Sequence, residues 1–315
     1  MQDLAETRAS VIAHSALPQV AVHRRFARFA WGVLAYNVAV ILWGALVRAT
    51  GSGAGCGGHW PLCNGDVLPD VSKIGTVIEL THRIMSGVAL VLVAAMFVWA
   101  WKTFASGHPA RRWATWSLVF ILTEALLGAS LVLLGHVARN ESVGRVYSLG
   151  LHLINTFLLL ASLALAAYFA TRPAARNTGK FSLALSGPLI ALVLVAIAGA
   201  ITALGDTLFP AHSLAEGVRN DFSSTASFLI RLRIIHPILA LAAGVVIALI
   251  AIPEFKARRT PLAGWMLGLF AAQIAVGAAS ILWQAPLPLQ LLHLLIADAL
   301  WITLVLFTAE AAVRK

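Results

Sequence analysis

The sequence predicts an all-α integral membrane protein whose eight transmembrane helices form two repeated four-helix bundles. Three observations lead to this fold class. First, the 315-residue chain is 60% hydrophobic and only 11% charged, unlike a soluble protein. Second, its apolar residues form long runs, and roughly 20 helical residues cross a hydrocarbon core about 30 Å thick. Third, the second half of the chain repeats short motifs of the first half in the same order.

Eight apolar runs, named segments 1 to 8, account for the predicted helices. Segments 1–4 cover residues 28–48, 75–101, 113–135 and 146–171, and segments 5–8 cover residues 181–203, 229–252, 262–283 and 288–311. Polar loops or basic tracts separate each run from the next. The predicted domains are an N-terminal tail (1–27), a first bundle (28–171), a linker (172–180), a second bundle (181–311) and a C-terminal tail (312–315).

Basic residues lie mostly before segment 1 and after segments 2, 4, 6 and 8. They are Arg8, Arg24, Arg25, Arg28, Lys102, Arg111, Arg112, Arg172, Arg176, Lys180, Lys256, Arg258, Arg259, Arg314 and Lys315. The positive-inside rule therefore predicts a bacterial-type inner (cell) membrane protein with both termini in the cytoplasm. These tracts also account for the net charge of +10, so we expect the lipid bilayer as a partner and no nucleic acid. The first 27 residues lack the features of a cleaved signal peptide, and we expect an uncleaved start.

The internal repeat consists of matches that occur in the same order in both halves. The matched pairs are residues 44–47 (GALV) with 199–202 (GAIT), 127–130 (LGAS) with 276–279 (VGAA), 151–153 (LHL) with 292–294 (LHL), and His82 with His236. Each repeat holds an even number of helices, so the two copies are expected to run parallel through the membrane.

Four histidines lie inside the segments, each about two helical turns from the same end of its segment. They are His82, His152, His236 and His293, whereas His14, His23, His59, His108, His136 and His212 fall in the tail or in loops. A neutral imidazole is the usual protein ligand of haem iron, and an ionisable residue at membrane depth indicates a functional site. Two histidines per repeat therefore predict two haem sites, roughly 8–11 Å down the helices from the outer face. A polar contact between helices is the alternative for any single histidine.

Glu79 precedes His82 by three residues, so the two side chains are expected on one helix face. A carboxylate there can act as a base or stabilise positive charge on a substrate. It can equally orient the imidazole or pair with Arg83. The matched position before His236 is Arg233, so the two sites differ in charge. We expect chemistry at the first site and a redox cofactor at the second.

Several arginines lie near the outer face, against the general charge bias. They are Arg48, Arg83, Arg139, Arg145, Arg219, Arg231 and Arg233. Guanidinium groups bind carboxylates well, which makes Arg83, Arg231 and Arg233 the candidates for contacts with haem propionates. We expect Arg139, Arg145 and Arg219 to extend to the membrane surface instead.

Two further carboxylates lie within segments. Glu124 in segment 3 matches Gln273 in segment 7, and we interpret the two as hydrogen-bonding positions between helices. Asp298 lies five residues after His293, away from its face. We expect neither carboxylate to be catalytic.

The two cysteines, Cys56 and Cys63, lie in the glycine-rich loop after segment 1. In an oxidising compartment they are expected to form a disulfide, which can be redox-active. A metal site with His59 is the alternative, although it has no evident fourth ligand. The Cys-x-x-Cys-His pattern of covalent haem attachment is absent from the sequence.

Together these motifs resemble the haem A synthase family. The resemblance rests on residues 48–53 (RATGSG), on the cysteine loop around residues 60–62 (WPL), on residues 79–87 (ELTHRIMSG) and on the later single histidines. It extends over all eight segments. It implies oxidation of the C8 methyl group of haem O to a formyl group, which gives the haem A of terminal oxidases.

The resemblance also implies roles for individual residues. The first bundle would take haem O as substrate at His82 and His152, and the second would keep haem b at His236 and His293. The essential glutamate of the family falls on Glu79, and its outer-loop cysteine pair on the two loop cysteines. The resemblance also implies two kinds of protein partner, a haem O synthase and cytochrome oxidase assembly proteins. Some members carry a second cysteine pair in the loop after segment 5, which this chain lacks.

Two other functions need the same four histidines. A non-catalytic dihaem b-type cytochrome linked to quinol would use the ligands but would leave Glu79 without a task. A haem exporter or chaperone would bind haem without redox turnover.

Overall fold

The computed structural model describes residues 2–172 and 183–314, with side chains from residue 20 and, in the second range, from residue 186. The predicted linker lies outside the described residues except for Arg172, and so do Met1 and Lys315. Arg176 and Lys180 are therefore not described, and neither is the side chain of Arg8.

The described elements are almost entirely α-helical. The first half contains α1 (Gln2–Ala49), α2 (Ile74–Thr103), α3 (Pro109–Leu133) and α4 (Val143–Phe169). The second half contains α5 (Leu183–Leu208), α6 (Leu214–Asp221), α7 (Phe228–Arg231), α8 (Ile235–Lys256), α9 (Pro261–Leu282) and α10 (Leu287–Arg314). The short helix α7 joins α8 through a 3-10 turn, and together they form one span.

Eight spans in the described ranges are long and apolar enough to cross a membrane, so this is a multi-pass membrane protein. Each predicted segment overlaps one of these spans. Helix α1, which contains segment 1, begins at Gln2, well before residue 28. Residues 19–27 contain neither glycine nor proline, so nothing in that stretch ends the helix.

The spans form two four-helix bundles. In the first, α1 packs on α2, α2 on α3, α3 on α4, and α4 back on α1. In the second, α5, α8, α9 and α10 form the same closed ring. The predicted fold class is therefore confirmed. The bundles meet where α1 and α4 pack against α5 and α10.

Two side chains join the bundles across this interface. Arg48, at the end of α1, donates to the carbonyl oxygen of Ala203 at 2.6 Å, to Thr207 Oγ1 at 2.7 Å and to Gln290 Oε1 at 3.1 Å. On the final helix, the indole Nε1 of Trp301 donates to the carbonyl oxygen of a phenylalanine in α4 at 2.8 Å, and the two rings stack. Both contacts link residues far apart in sequence, so they fix the bundles relative to each other.

The buried core lies toward the end of the molecule that carries the α2–α3 and α8–α9 loops, where Met96 and Met266 are fully buried. On α8 and α10 the buried residues begin at Ala243 and Asp298, beyond the segment histidines. On α4 they begin at Asn155, apart from an arginine in the first turn. The histidines therefore occupy the less densely packed end of both bundles.

Candidate functional site

The four segment histidines lie near the N-terminal ends of α2, α4, α8 and α10, and each is half-buried. In the second bundle, the ring centroids of His236 and His293 are 6.2 Å apart, with the rings nearly perpendicular at 80°. In the first bundle, His82 on α2 lies against Gly44 of α1, and His152 on α4 lies against Gly128 of α3. The structure thus brings His236 and His293 together as the repeat predicts, and it places His82 and His152 in the same bundle.

A glycine of the preceding span lies against each imidazole. The distance from the Cβ that a side chain would add to the nearest histidine atom, Cε1, is 3.0 Å for Gly44 and His82, 3.9 Å for Gly128 and His152, 2.9 Å for Gly199 and His236, and 3.1 Å for Gly277 and His293. At three of the four positions such a Cβ would crowd the ring. These glycines belong to the repeated motifs of the sequence. The motifs revealed the repeat, but they did not indicate that the glycines contact the histidines.

The ring nitrogens differ in their partners. The Nδ1 atoms of His82, His152 and His293 are buried without a hydrogen-bond partner among the described residues. The Nδ1 of His236 instead contacts the carbonyl oxygen of Val195 at 3.1 Å. Buried polar atoms are normally paired, so unpaired imidazole nitrogens indicate sites for a ligand.

This arrangement fits haem iron. Imidazole is the usual protein ligand of haem iron, and the rings of His236 and His293, whose centroids are 6.2 Å apart, are close enough that both could hold one iron. The glycines beside the rings and the loosely packed bundle ends also suit a flat, apolar macrocycle held between helices.

Glu79 is buried, with 3% of its surface exposed, and is held by the loop after α1. Its Oε2 accepts a hydrogen bond from the backbone N–H of Cys56 at 2.8 Å. Its Oε1 accepts hydrogen bonds from Arg83 Nη2 at 2.6 Å and Nε at 3.2 Å. Of the roles that the sequence left open, the ion pair with Arg83 is therefore formed.

The three arginines predicted to contact propionates have different surroundings. Arg83 also donates to two carbonyl oxygens of the cysteine loop, at 2.8 and 2.7 Å. Arg233 pairs with Asp206 at 2.7 Å and with Asp221 at 2.6 Å. Arg231 is exposed. Contact of these groups with propionates stays a prediction.

The prediction that Arg145 extends to the membrane surface is wrong, because only 3% of its surface is exposed. The α3–α4 loop folds over it, and Nη1 donates to the carbonyl oxygens of Ala138 at 2.6 Å and Asn140 at 2.8 Å. Its Nε is buried without a hydrogen-bond partner among the described residues. Arg139 and Arg219 are exposed, as expected.

Glu124 has a neighbour that sequence reasoning did not foresee. It accepts a hydrogen bond from Asn155 Nδ2 at 2.6 Å, as expected for a position between helices. Its Oε1 also lies 3.5 Å from Nδ1 of His152. At the matched position, Gln273 Nε2 lies 3.1 Å from Nε2 of His293. The match between Glu124 and Gln273 was visible in the sequence, but their contact with the histidines was not.

Cys56 and Cys63 form the predicted disulfide. The alternative metal site with His59 is not formed, and the described residues contain no group of three or more His, Cys, Asp or Glu that could hold a metal ion. The loop packs tightly on α2, where Thr76 Oγ1 donates to the carbonyl oxygen of Gly55 at 2.7 Å. The disulfide therefore closes a loop whose backbone holds Glu79.

A model of the COX15-CtaA family, described as cytochrome oxidase assembly protein, matches residues 27–305. The chain belongs to this family. The matched range includes most of both bundles of this COX15-CtaA family member, so the family to which the sequence points is confirmed.

Relatives of this family member carry two different names. A "Protoheme IX farnesyltransferase" of Thermus thermophilus is 44% identical over 298 residues, which are 92% of this chain and 49% of the relative. Proteins named "Heme A synthase" from Bacillus licheniformis and Bacillus mycoides are 44% identical over 99 and 98 residues, which are 31% of this chain and 32% of each relative. The chain thus spans about half the length of the Thermus relative, and its matches to the Bacillus relatives span about a third of theirs.

Proposed function

We propose that this protein is a haem A synthase, which oxidises the C8 methyl group of haem O to a formyl group. The observation that carries the proposal is membership of the COX15-CtaA family over residues 27–305. The relatives named "Heme A synthase" support it. The two histidine pairs also have different neighbours, which supports the proposal. One pair lies near a carboxylate held close to the N-terminal end of α2, and the other lies near a paired arginine.

In this proposal the first bundle binds haem O at His82 and His152, and the second bundle keeps haem b at His236 and His293. Haem b, when bound, supplies redox chemistry that accepts or passes electrons. The ring separation of 6.2 Å in the second bundle supports a ligand pair for one resident iron. The unpaired Nδ1 atom of His82 supports a site that takes a ligand in the first bundle.

We assign the chemistry of the first site to Glu79, three residues before His82. Oxidation of a methyl group removes protons as well as electrons, and a carboxylate can take a proton or stabilise positive charge as it develops. The N–H of Cys56 and the guanidinium of Arg83 hold this carboxylate in place. Arg83, Arg231 and Arg233 remain the proposed propionate contacts.

Identification of the bound haems tests the function directly. The full-length protein is purified from membranes, its haems are extracted with acid acetone, and their masses are determined. Haem O, haem A or a hydroxylated intermediate beside haem b supports the synthase. Haem b alone at both sites supports the non-catalytic dihaem cytochrome. Weakly held haem with no product after incubation with haem O and reductant supports an exporter or chaperone.

The role of Glu79 is tested by Glu79→Gln. We expect conversion of haem O to fall about 10²–10⁴-fold, the usual contribution of a general acid or base, while both haems still bind. Glu141→Gln is the control, because Glu141 is an exposed carboxylate in the α3–α4 loop. Full conversion by Glu79→Gln with both haems bound would remove this role.

The Thermus relative supports a partner. It bears the name of a farnesyltransferase, yet this chain matches only 49% of its length. We propose that the farnesyl transfer belongs to the unmatched half, and that a haem O synthase delivers haem O to the two bundles described above. Crosslinking in membranes followed by mass spectrometry should recover that synthase. A cytochrome oxidase subunit is the second partner to look for in the same experiment.

We further propose that the protein lies in the bacterial-type cell membrane with both termini in the cytoplasm and both histidine pairs near the outer face. The basic tracts support this orientation, since Arg24, Arg25 and Arg28 at the start of the first span and Arg258 and Arg259 between α8 and α9 are exposed.

A further inference from the structure

The third span of each bundle places one polar side chain against the histidine of the fourth span. In the first bundle Glu124 Oε1 lies 3.5 Å from Nδ1 of His152. In the second bundle Gln273 Nε2 lies 3.1 Å from Nε2 of His293. The two bundles therefore place different groups at matched positions, a carboxylate beside Nδ1 of His152 and a carboxamide beside Nε2 of His293.

The two positions are equivalent in the fold. Glu124 lies four residues before Gly128, and Gln273 lies four residues before Gly277. Each of these glycines lies against the same histidine that the polar side chain contacts. Glutamate and glutamine have nearly the same shape, so the two sites differ at this point in charge and in the ring nitrogen that the side chain contacts.

Glu124 is also held more firmly than its counterpart. It accepts hydrogen bonds from Asn155 Nδ2 at 2.6 Å and from Thr156 Oγ1, and both donors lie on the helix that carries His152. Asn155 in turn accepts a hydrogen bond from Thr123 at 2.6 Å. The Oε1 of Gln273, in contrast, is buried without a hydrogen-bond partner among the described residues.

We infer that Glu124 is a positioning residue that makes His152 a stronger iron ligand than His293, and so sets the two haem sites at different potentials. The inference deepens the proposed function and rests on its assignment of His152 and His293 as haem ligands. A ligating histidine usually donates its other ring N–H to a carboxylate or carbonyl, and this partner raises the basicity of the ligand. Hydrogen bonds to ionised groups are roughly twice as strong as neutral ones.

The present separation of 3.5 Å is long for a hydrogen bond, but such contacts often tighten only once the ligand of a site is bound. A more basic ligand favours the ferric state, so Glu124 lowers the reduction potential of haem in the first bundle. The carboxamide of Gln273 leaves the second haem easier to reduce. Electrons taken from a substrate in the first bundle then move downhill toward the second.

Reciprocal exchanges test this inference. The full-length protein with its haems is prepared as Glu124→Gln and as Gln273→Glu, and midpoint potentials are measured by spectroelectrochemistry together with the low-spin ferric EPR signals. His152→Ala and His293→Ala identify which transition belongs to which bundle. We expect Glu124→Gln to raise the first-bundle potential and to weaken haem binding there about 10- to 100-fold. We expect Gln273→Glu to lower the second-bundle potential.

Glu141→Gln is the matched control, because it makes the same change of charge at an exposed position in the α3–α4 loop. It should leave both potentials and both EPR signals unchanged. The inference is overturned if the folded Glu124→Gln protein keeps its first-bundle potential, or if either exchange moves both potentials equally. Failure of the proposed function is distinguishable, since haem b alone in both bundles would refute the synthase while the reciprocal shifts persist.

Discussion

At the residue scale, the backbone of a neighbouring helix sets the position of each segment histidine. The ring of His236 is held on one side by the carbonyl oxygen of Val195 and lies on the other against Gly199, where any side chain would crowd it. Such a ring has little freedom to turn, because both constraints come from α5. A ligand held in this way is already oriented before iron binds, which lowers the cost of binding.

Gly199→Ala is expected to displace the ring of His236. The added Cβ would lie 2.9 Å from Cε1, so either the imidazole or α5 must shift. Misplaced metal ligands bind less tightly, and we expect haem in the second bundle to be partly lost or changed in its ferric EPR signal. Haem content per protein, measured by the pyridine haemochrome method, checks this.

Gly268→Ala on α9 of the same bundle provides the control, since its Cβ would meet nothing within 4 Å among the described residues. Alanine has the higher helix propensity, so this variant should keep its haem and lose no stability. Equal haem content in the two alanine variants would contradict the proposed importance of the close contact.

The histidines could be predicted from the sequence because an ionisable residue within an apolar run is conspicuous. The contact of Glu124 with His152 could not, because it depends on which faces of α3 and α4 meet. Arg145 was missed for a related reason. Its burial follows from a loop that folds back over it, and no periodic pattern in the sequence indicates such a fold.

At the scale of elements, the cysteine loop and the start of α2 behave as one unit. The disulfide closes the loop, and Thr76 and Glu79 of α2 bind its backbone. The closest approach is at Gly55, whose added Cβ would lie 2.7 Å from the backbone nitrogen of Thr76 and closer still to the carbonyl of Gly75. Only glycine fits at this contact.

Gly55→Ala should therefore push the loop away from α2. Overpacking of this kind lowers the free energy of unfolding by about 1–3 kcal/mol. The shift also moves the backbone N–H of Cys56, which donates a hydrogen bond to Glu79. We expect a lower apparent Tm in detergent and slower conversion of haem O. Gly58→Ala lies in the same loop, where a Cβ meets nothing within 4 Å among the described residues, and it should match the wild type. A Tm unchanged by Gly55→Ala would contradict this prediction, because it would show that the loop can move away from α2 without loss of stability.

The spans themselves were predictable because their apolar runs are long and uninterrupted. The ends of the spans were harder to predict, as α1 and α5 illustrate. Helix α1 begins at Gln2 rather than at residue 28, because helical structure continues through the residues before the apolar run. Helix α5 ends at Leu208 rather than at residue 203, because residues 204–208 contain no proline and continue the helix.

At the scale of the whole molecule, two similar bundles are fixed side by side by few polar contacts. Arg48 supplies three of these contacts, to Ala203, Thr207 and Gln290 in the second bundle. Hydrogen bonds from a charged group contribute about 1.5–3 kcal/mol each, which is a large share of the stability of one interface.

Arg48→Gln is expected to loosen the bundles from each other. Its shorter, neutral side chain cannot reach all three acceptors, so the apparent Tm in detergent should fall by several degrees while the haem spectra of the separate bundles stay similar. Arg28→Gln on the same helix is the control, because Arg28 is exposed. The same Tm for both variants would argue that the hydrogen bonds of Arg48 do not hold the two bundles together.

The proposed orientation predicts where labels will react. After reduction of the disulfide in intact spheroplasts, a membrane-impermeant maleimide should label Cys56 and Cys63, and a fluorescent protein fused to the C-terminus should fold and fluoresce in the cytoplasm. A double variant with serine at both positions gives the background. Labelling that appears only after the membrane is permeabilised would reverse the orientation.

The histidines of both bundles lie at the same end of helices that run in the same direction, and this has an electrical consequence. In the proposed function, an electron that passes between haems held by the two pairs would travel along the plane of the membrane and not through its thickness. Movement of a charge across the whole bilayer is worth about 2.3 kcal/mol per 100 mV, but movement within one layer costs almost none of this. The membrane potential would therefore neither drive nor oppose transfer between the two proposed sites.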